Sequence, residues 1–168
     1  DFARNVMQIA LSPLGIRLSD SVTTEIPVSV HKGEKLSAQQ VKENKLAVQR
    51  AWRLHFNNVT HSLINGFYQS WDLHPAQLVA RYAAVYSFFL ESFDEQSKRL
   101  KSFMDKATKA TLVGNQFDDA ASANGLLNYF IRAVSCGALS KKEVTDSTSL
   151  TIDELNSASF IRIMEGRN

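Results

Sequence analysis

The side chains able to do chemistry in this chain are four histidines (His31, His55, His61 and His74), one cysteine (Cys136), three adjacent carboxylate pairs and two blocks of bases. No two histidines stand three or four residues apart, so no helix turn presents a pair of imidazoles to a metal. No Cys or carboxylate completes a ligand set at usual spacing, and the reading is no metal and no cofactor. The pairs Asp118-Asp119 and Asp153-Glu154 fall at helix starts, where carboxylates cap free N–H groups and meet the positive end of the dipole. Asp94-Glu95 stands in a polar gap inside a long helical pattern. A nucleophile elbow, a P-loop and a dinucleotide fingerprint are all missing. Catalysis would need groups brought together from distant elements. Cys136 follows an apolar run and reads as a buried, inert thiol rather than a nucleophile.

The bases carry more information. Between His31 and His61 stand Lys32, Lys35, Lys42, Lys45, Arg50 and Arg53 against only Glu34 and Glu43. Between Lys98 and Lys109 stand Lys98, Arg99, Lys101, Lys106 and Lys109 against Asp105. The stretch between the blocks is acidic, with Arg81 against Asp72, Glu91, Asp94 and Glu95. Helices carrying such blocks present solvated faces or, packed side by side, a basic patch for single-stranded RNA. The contact residues of that patch would be Lys42, Lys45, Arg50, Arg53, Lys98, Arg99, Lys101, Lys106 and Lys109. A second surface is apolar. Tyr82, Tyr86, Phe88, Phe89 and Phe93 span a broader arc than a surface helix requires, so they fill a core or meet another chain.

The elements that must position these groups are helices. Val41, Val48, Trp52, Phe56, Val59, Leu63, Phe67 and Trp71 recur at steps of three or four, or their sum, which aligns them on one face. The spacing predicts a short helix over 2–11, then helices over 37–71, 75–113, 118–136 and 151–165. Ser37 with Gln40 and Thr151 with Glu154 form capping boxes. Asp72 and Pro75 fit the cap and first turn of the third helix, and Gly137 suits a left-handed helix end. Over 16–30 the apolar residues alternate, which fits a β-hairpin or an extended arm. Ser140–Thr148 reads as a polar loop with one helical turn.

At 168 residues, 44% hydrophobic and 21% charged, the chain reads as one domain with a real core. The fold class is mainly α: an antiparallel bundle of four to five helices. No segment reaches the ~20 apolar residues that span a bilayer. A single cysteine rules out an intrachain disulfide, which fits a cytoplasmic or other reducing compartment.

The run Gln116-Phe117-Asp118-Asp119-Ala120-Ala121-Ser122 resembles the start of the last long helix in coat proteins of rod-shaped plant RNA viruses of the tobacco mosaic and tobacco rattle type. That resemblance implies a four-helix bundle stacking into a rod around single-stranded RNA. It would put Asp118 and Asp119 near the RNA-facing helix start. The chain departs from the family in its longer helix before Trp71, and no RNA-contacting arginine aligns beside Asp118. The functional expectation is a non-enzymatic helical protein-interaction or assembly module, its partner a protein or itself. The alternatives are a subunit coating single-stranded RNA and an enzyme with a dispersed site.

Overall fold

The computed structural model describes residues 1–16, 18–68, 70–112 and 120–167, side chains excepted at 12, 109–112 and 120. Asp118, Asp119 and Gly114 lie outside the described residues, as does the side chain of Lys109. The described chain is mainly helical: α1 (Phe2–Leu11), α2 (Ala38–Ile64), α3 (Leu78–Leu112), α4 (Ala120–Ser135), α5 (Lys141–Thr148), α6 (Ile152–Ser157) and α7 (Phe160–Arg167). Short 3₁₀ turns cover Ser12–Leu14 and Pro75–Gln77. It divides into two compact units, Asp1–Val85 and Tyr86–Asn168.

In the first unit α2 begins as expected, with Ser37 and Gln40 closing a reciprocal capping box. It ends seven residues before Trp71. Phe67 N–H donates to Ser62 O and Gly66 N–H to Leu63 O, with Gly66 at φ 81°. This is a Schellman turn, and Phe67 tucks back into the core as its apolar follower. Trp71, assigned to the helical stripe by spacing, is therefore exposed in the connection.

The N-terminal hairpin is not formed: among the described residues there is no strand. Residues 18–36 instead hold an extended arm that runs antiparallel along α2. Asp20 meets Ser62, Thr23 meets His55 and Asn58, Glu25 meets Arg50, and His31 meets Asn44 and Glu43. Ascending arm numbers pair with descending helix numbers. Beyond the isolated bridge at Ser19, the arm satisfies backbone groups through side chains. Asn44 does so at His31, accepting from its N–H and donating to its carbonyl. Pro27, which has no N–H to satisfy, is buried.

In the second unit α4 packs against α6 and α7, and α6 against α7. These close neighbours are short elements, not the long antiparallel pairs expected. The core gathers Phe89, Leu100, Leu127, Phe130, Val144 and Phe160, all almost fully buried. The expected loop 140–148 is helix α5, capped by Ser140 with Glu143 and held by buried Val144 and Thr148. The expected helix 151–165 is two, because Ala158 adopts φ 52° and breaks it. Asn124 then accepts from Phe160 N–H at the start of α7. α4 ends on Gly137 at φ 79°, with Ala138 N–H donating to Ala133 O, as its composition predicts.

Candidate functional site: a buried polar relay in the first unit

The densest arrangement of chemical groups in the first unit joins the arm, α2, the 70–77 connection and the start of α3. α2 faces inward with Asn44, Ala51, His55, Val59, Ser62 and Leu63, so its core stripe is half polar. His55 is 1% exposed. Its Nδ1 lies 2.8 Å from Thr23 Oγ1, and Asn58 Nδ2 donates to that same oxygen at 3.0 Å. Its Nε2 lies 2.8 Å from Asp72 Oδ1, off the line of a hydrogen bond. Arg81 Nε donates to both Asp72 oxygens, at 2.8 and 2.6 Å, and its Nη1 donates to Ser70 Oγ.

One tautomer keeps a lone pair of the imidazole away from the Asp72 carboxylate. Asn58 donates to Thr23, Thr23 donates to His55 Nδ1, and the imidazole keeps its proton on Nε2, toward Asp72. Burial pushes the His55 pKa below its ordinary value; Arg81 adds to this, and Asp72 opposes it without reversing it. Burial raises the Asp72 carboxyl, but the hydrogen bonds and charge of Arg81 outweigh it, so the group sits below the usual carboxylate range. His55 is thus a neutral imidazole beside an ionised pair.

Gln77, fully buried, closes the network. Its Nε2 donates to the carbonyls of Thr23 and Glu25, and its Oε1 accepts from the N–H groups of Leu73 and His74. The cap of the Pro75–Gln77 turn is His74, whose Nδ1 accepts from Ala76 N–H, and not Asp72 as the sequence suggests. Asp72 is drawn instead to Arg81, one helix turn into α3. Trp52 Nε1 donates to Ala76 O, which fixes that ring as part of the core wall. An open cleft of about 310 Å³ lies outside this turn, lined by Asp72, Leu73, His74, Pro75 and Leu78.

Hydroxyl, imidazole and carboxylate stand in the order a nucleophilic relay uses. Here Thr23 and His55 are both buried, and the hydroxyl is held by a second donor. What this arrangement does is hold four segments in register. A linked prediction concerns pH. Because the folded state depresses the His55 pKa below 6.5, the unfolded chain binds the extra proton first. Stability is fully present above pH 6.5 and is expected to fall as pH drops toward the folded value. Urea unfolding from pH 7.5 to 5 should show this loss, and His55→Gln should flatten the slope. An unchanged slope in the variant would assign the titration to another group.

The sequence-derived contact residues fall in different places. Lys42, Lys45, Arg50 and Arg53 lie exposed on α2, in the first unit, with Arg50 bonded to Glu25 at 2.8 Å. Lys98, Arg99, Lys101 and Lys106 lie exposed on the part of α3 in the second unit. Of the apolar set, Tyr82 is exposed, whereas Phe89 is 2% exposed and Tyr86, Phe88 and Phe93 are partly buried. Phe88 and Phe89 stand against Tyr129, and Phe93 against Phe130, in tilted and edge-on ring contacts. These rings build the second unit's core.

A further apolar surface is on α1. Phe2, Val6 and Ile9 share one face, as their spacing requires, but that face points outward: Phe2 is 84% and Ile9 76% exposed. The helix is moored by polar side chains. Arg4 reaches Asp20 at 2.7 Å and lies over the Phe67 ring at 4.5 Å, and Gln8 donates to Asn65 O at 2.8 Å. Periodicity finds an apolar face without saying which way it points.

Cys136 is partly exposed and not buried as its apolar approach suggests, because it falls at the turn that ends α4, where its thiol donates to Ala133 O. Among the described residues no three His, Cys, Asp or Glu side chains gather closely enough to hold a metal ion. Among them, too, no helix is long and apolar enough to cross a membrane.

The family model described as Domain of unknown function (DUF6986) matches residues 1–163, and the chain belongs to that family. Neither a curated protein nor a solved structure matches it.

Proposed function

We propose that this member of the DUF6986 family is a non-enzymatic helical interaction module that associates with copies of itself through the outward face of α1. The observation that carries the reading is the moored helix with Phe2, Val6 and Ile9 turned to solvent. Apolar surface exposed on a fixed element gains by burial, roughly 25 cal/mol per Å² removed from water. The only charged side chain in α1 is Arg4, and it is committed to Asp20 and Phe67. The outward stripe is therefore uncharged and complementary to its own copy, as a two-fold interface requires. The buried relay supports the same reading, since its imidazole and hydroxyl serve the fold and leave no approach for a substrate.

Light scattering across a concentration series tests this. The parent chain is expected to rise above monomer mass, and Phe2→Asp/Ile9→Asp to stay monomeric with unchanged circular dichroism. A parent that remains monomeric throughout, or a double variant that matches the parent's mass, would overturn the proposal.

A further inference from the structure

Charge in the first unit is unevenly spent. Its carboxylates Asp1, Asp20, Glu25, Glu43 and Asp72 all stand in ion pairs, with Arg4, Arg50, Arg81 or a histidine as partner. Among the described residues, Glu34 is the one carboxylate of the unit outside these pairs. The bases left over in its described part are Lys32, Lys35, Lys42, Lys45 and Arg53, all exposed and confined to the α2 helix and the turn leading into it. On α2, steps of three and eight residues keep Lys42, Lys45 and Arg53 on one face, alongside the buried stripe of Ala51, His55 and Val59.

We propose that this face binds a single-stranded phosphodiester chain, tracking its backbone without reading bases. Three features select that partner. The charges form a line along a helix, which suits a linear polyanion better than a single bound anion. The face carries Gln49 between Lys45 and Arg53, and the exposed apolar residue beside them is the single Leu46, too little apolar surface to enter a bilayer. The free bases are mostly lysines, hydrated point charges suited to phosphate, whereas the arginines that grip carboxylates in two-pronged fashion are mostly committed inside the unit. Of the aromatics on this part of α2, Trp52 is held by Ala76 and Phe56 is half-buried, so the contact is mainly electrostatic. The proposal is independent of self-association through α1.

The test is anisotropy of a dye-labelled oligouridine titrated with the full chain at several salt concentrations. Affinity is expected to fall with salt at a log–log slope near −0.7 for each phosphate neutralised, so about −2 to −3 for three or four contacts. Lys42→Glu/Lys45→Glu is expected to weaken binding more than ~10-fold at low salt. The milder Lys42→Gln/Lys45→Gln should reduce the slope by about 1.4. Circular dichroism establishes that both variants fold, as substitutions at exposed positions should. No binding at low salt, or binding that only Lys98→Glu/Lys101→Glu removes, would overturn the assignment. So would tighter capture of a polyglutamate peptide or of anionic lipid vesicles, which would name an acidic polypeptide or a membrane as the partner.

Discussion

Asp72→Asn is expected to destabilise the first unit by about 3 kcal/mol, the lower end of the cost of removing one member of a buried ion pair. The variant keeps the shape of the side chain and deletes its charge. Arg81 is then left with its guanidinium mostly buried and its anion gone, and His55 loses the group beside Nε2. Solvent reaches both sites only slightly, with side-chain exposures of 11% for Asp72 and 17% for Arg81, so screening offsets little of the loss. Urea unfolding at pH 7 measures it. Adding Arg81→Met should recover part of the deficit, because an apolar chain leaves no stranded charge. The pH dependence has a fixed sign. The folded state holds the Asp72 carboxyl below its ordinary value, so its contribution is present above pH 3.8 and disappears as pH falls through the folded pKa. Parent and variant should therefore converge in acid. A loss under ~1 kcal/mol at neutral pH would mean the pair behaves as a surface salt bridge.

Phe130→Ala is expected to cost the second unit about 3–5 kcal/mol, the range for emptying a fully buried ring site. Phe130 has no exposed surface, and its ring meets Tyr129 at 5.0 Å and Phe93 at 6.2 Å, both edge-on. Tyr129 cannot slide into the void without penalty, because its hydroxyl donates to Phe89 O at 2.5 Å and meets Ser92 Oγ at 3.0 Å. A cavity that cannot collapse gives the upper part of the range. A unit of this size holds on the order of 4–12 kcal/mol in total, so the midpoint should fall by ~15 °C or more in a thermal melt. Ile152→Ala, at an exposed helix start, serves as the control and should shift stability by less than ~0.5 kcal/mol. Equal effects from the two substitutions would mean that Phe130 is not at the centre of that core.

Both predictions depend on features that the sequence carries unequally. Helical class, the Ser37–Gln40 and Thr151–Glu154 boxes and the turn at Gly137 are legible because each is local: their causes lie within four residues of their effects. Ser140 with Glu143 carries the same signal, so α5 was there to be read. Positions 65–67 show where local evidence weakens. An Asn-Gly pair either bends a helix or ends it, and Phe67 decides by packing back against the core.

The relay was not legible. Thr23, His55, Asp72 and Arg81 come from four segments, with separations of 9 to 54 residues among their bonded contacts with each other and with Gln77. Spacing rules reach one or two helix turns and no further. The arm is the clearest case. Its alternation predicts an extended chain correctly, but whether that chain pairs with a second strand or lies along a helix depends on which polar side chains α2 offers.

The order of amino acids by itself determined that this protein is built from amphipathic helices, because periodicity and capping act over one or two turns. Only the tertiary structure decided which faces turn inward: α1 shows its apolar side to water, and α2 buries a histidine beside an ionised pair. An apolar or charged group has no preferred direction until a neighbour from elsewhere in the chain supplies its partner, and sequence spacing does not encode that neighbour.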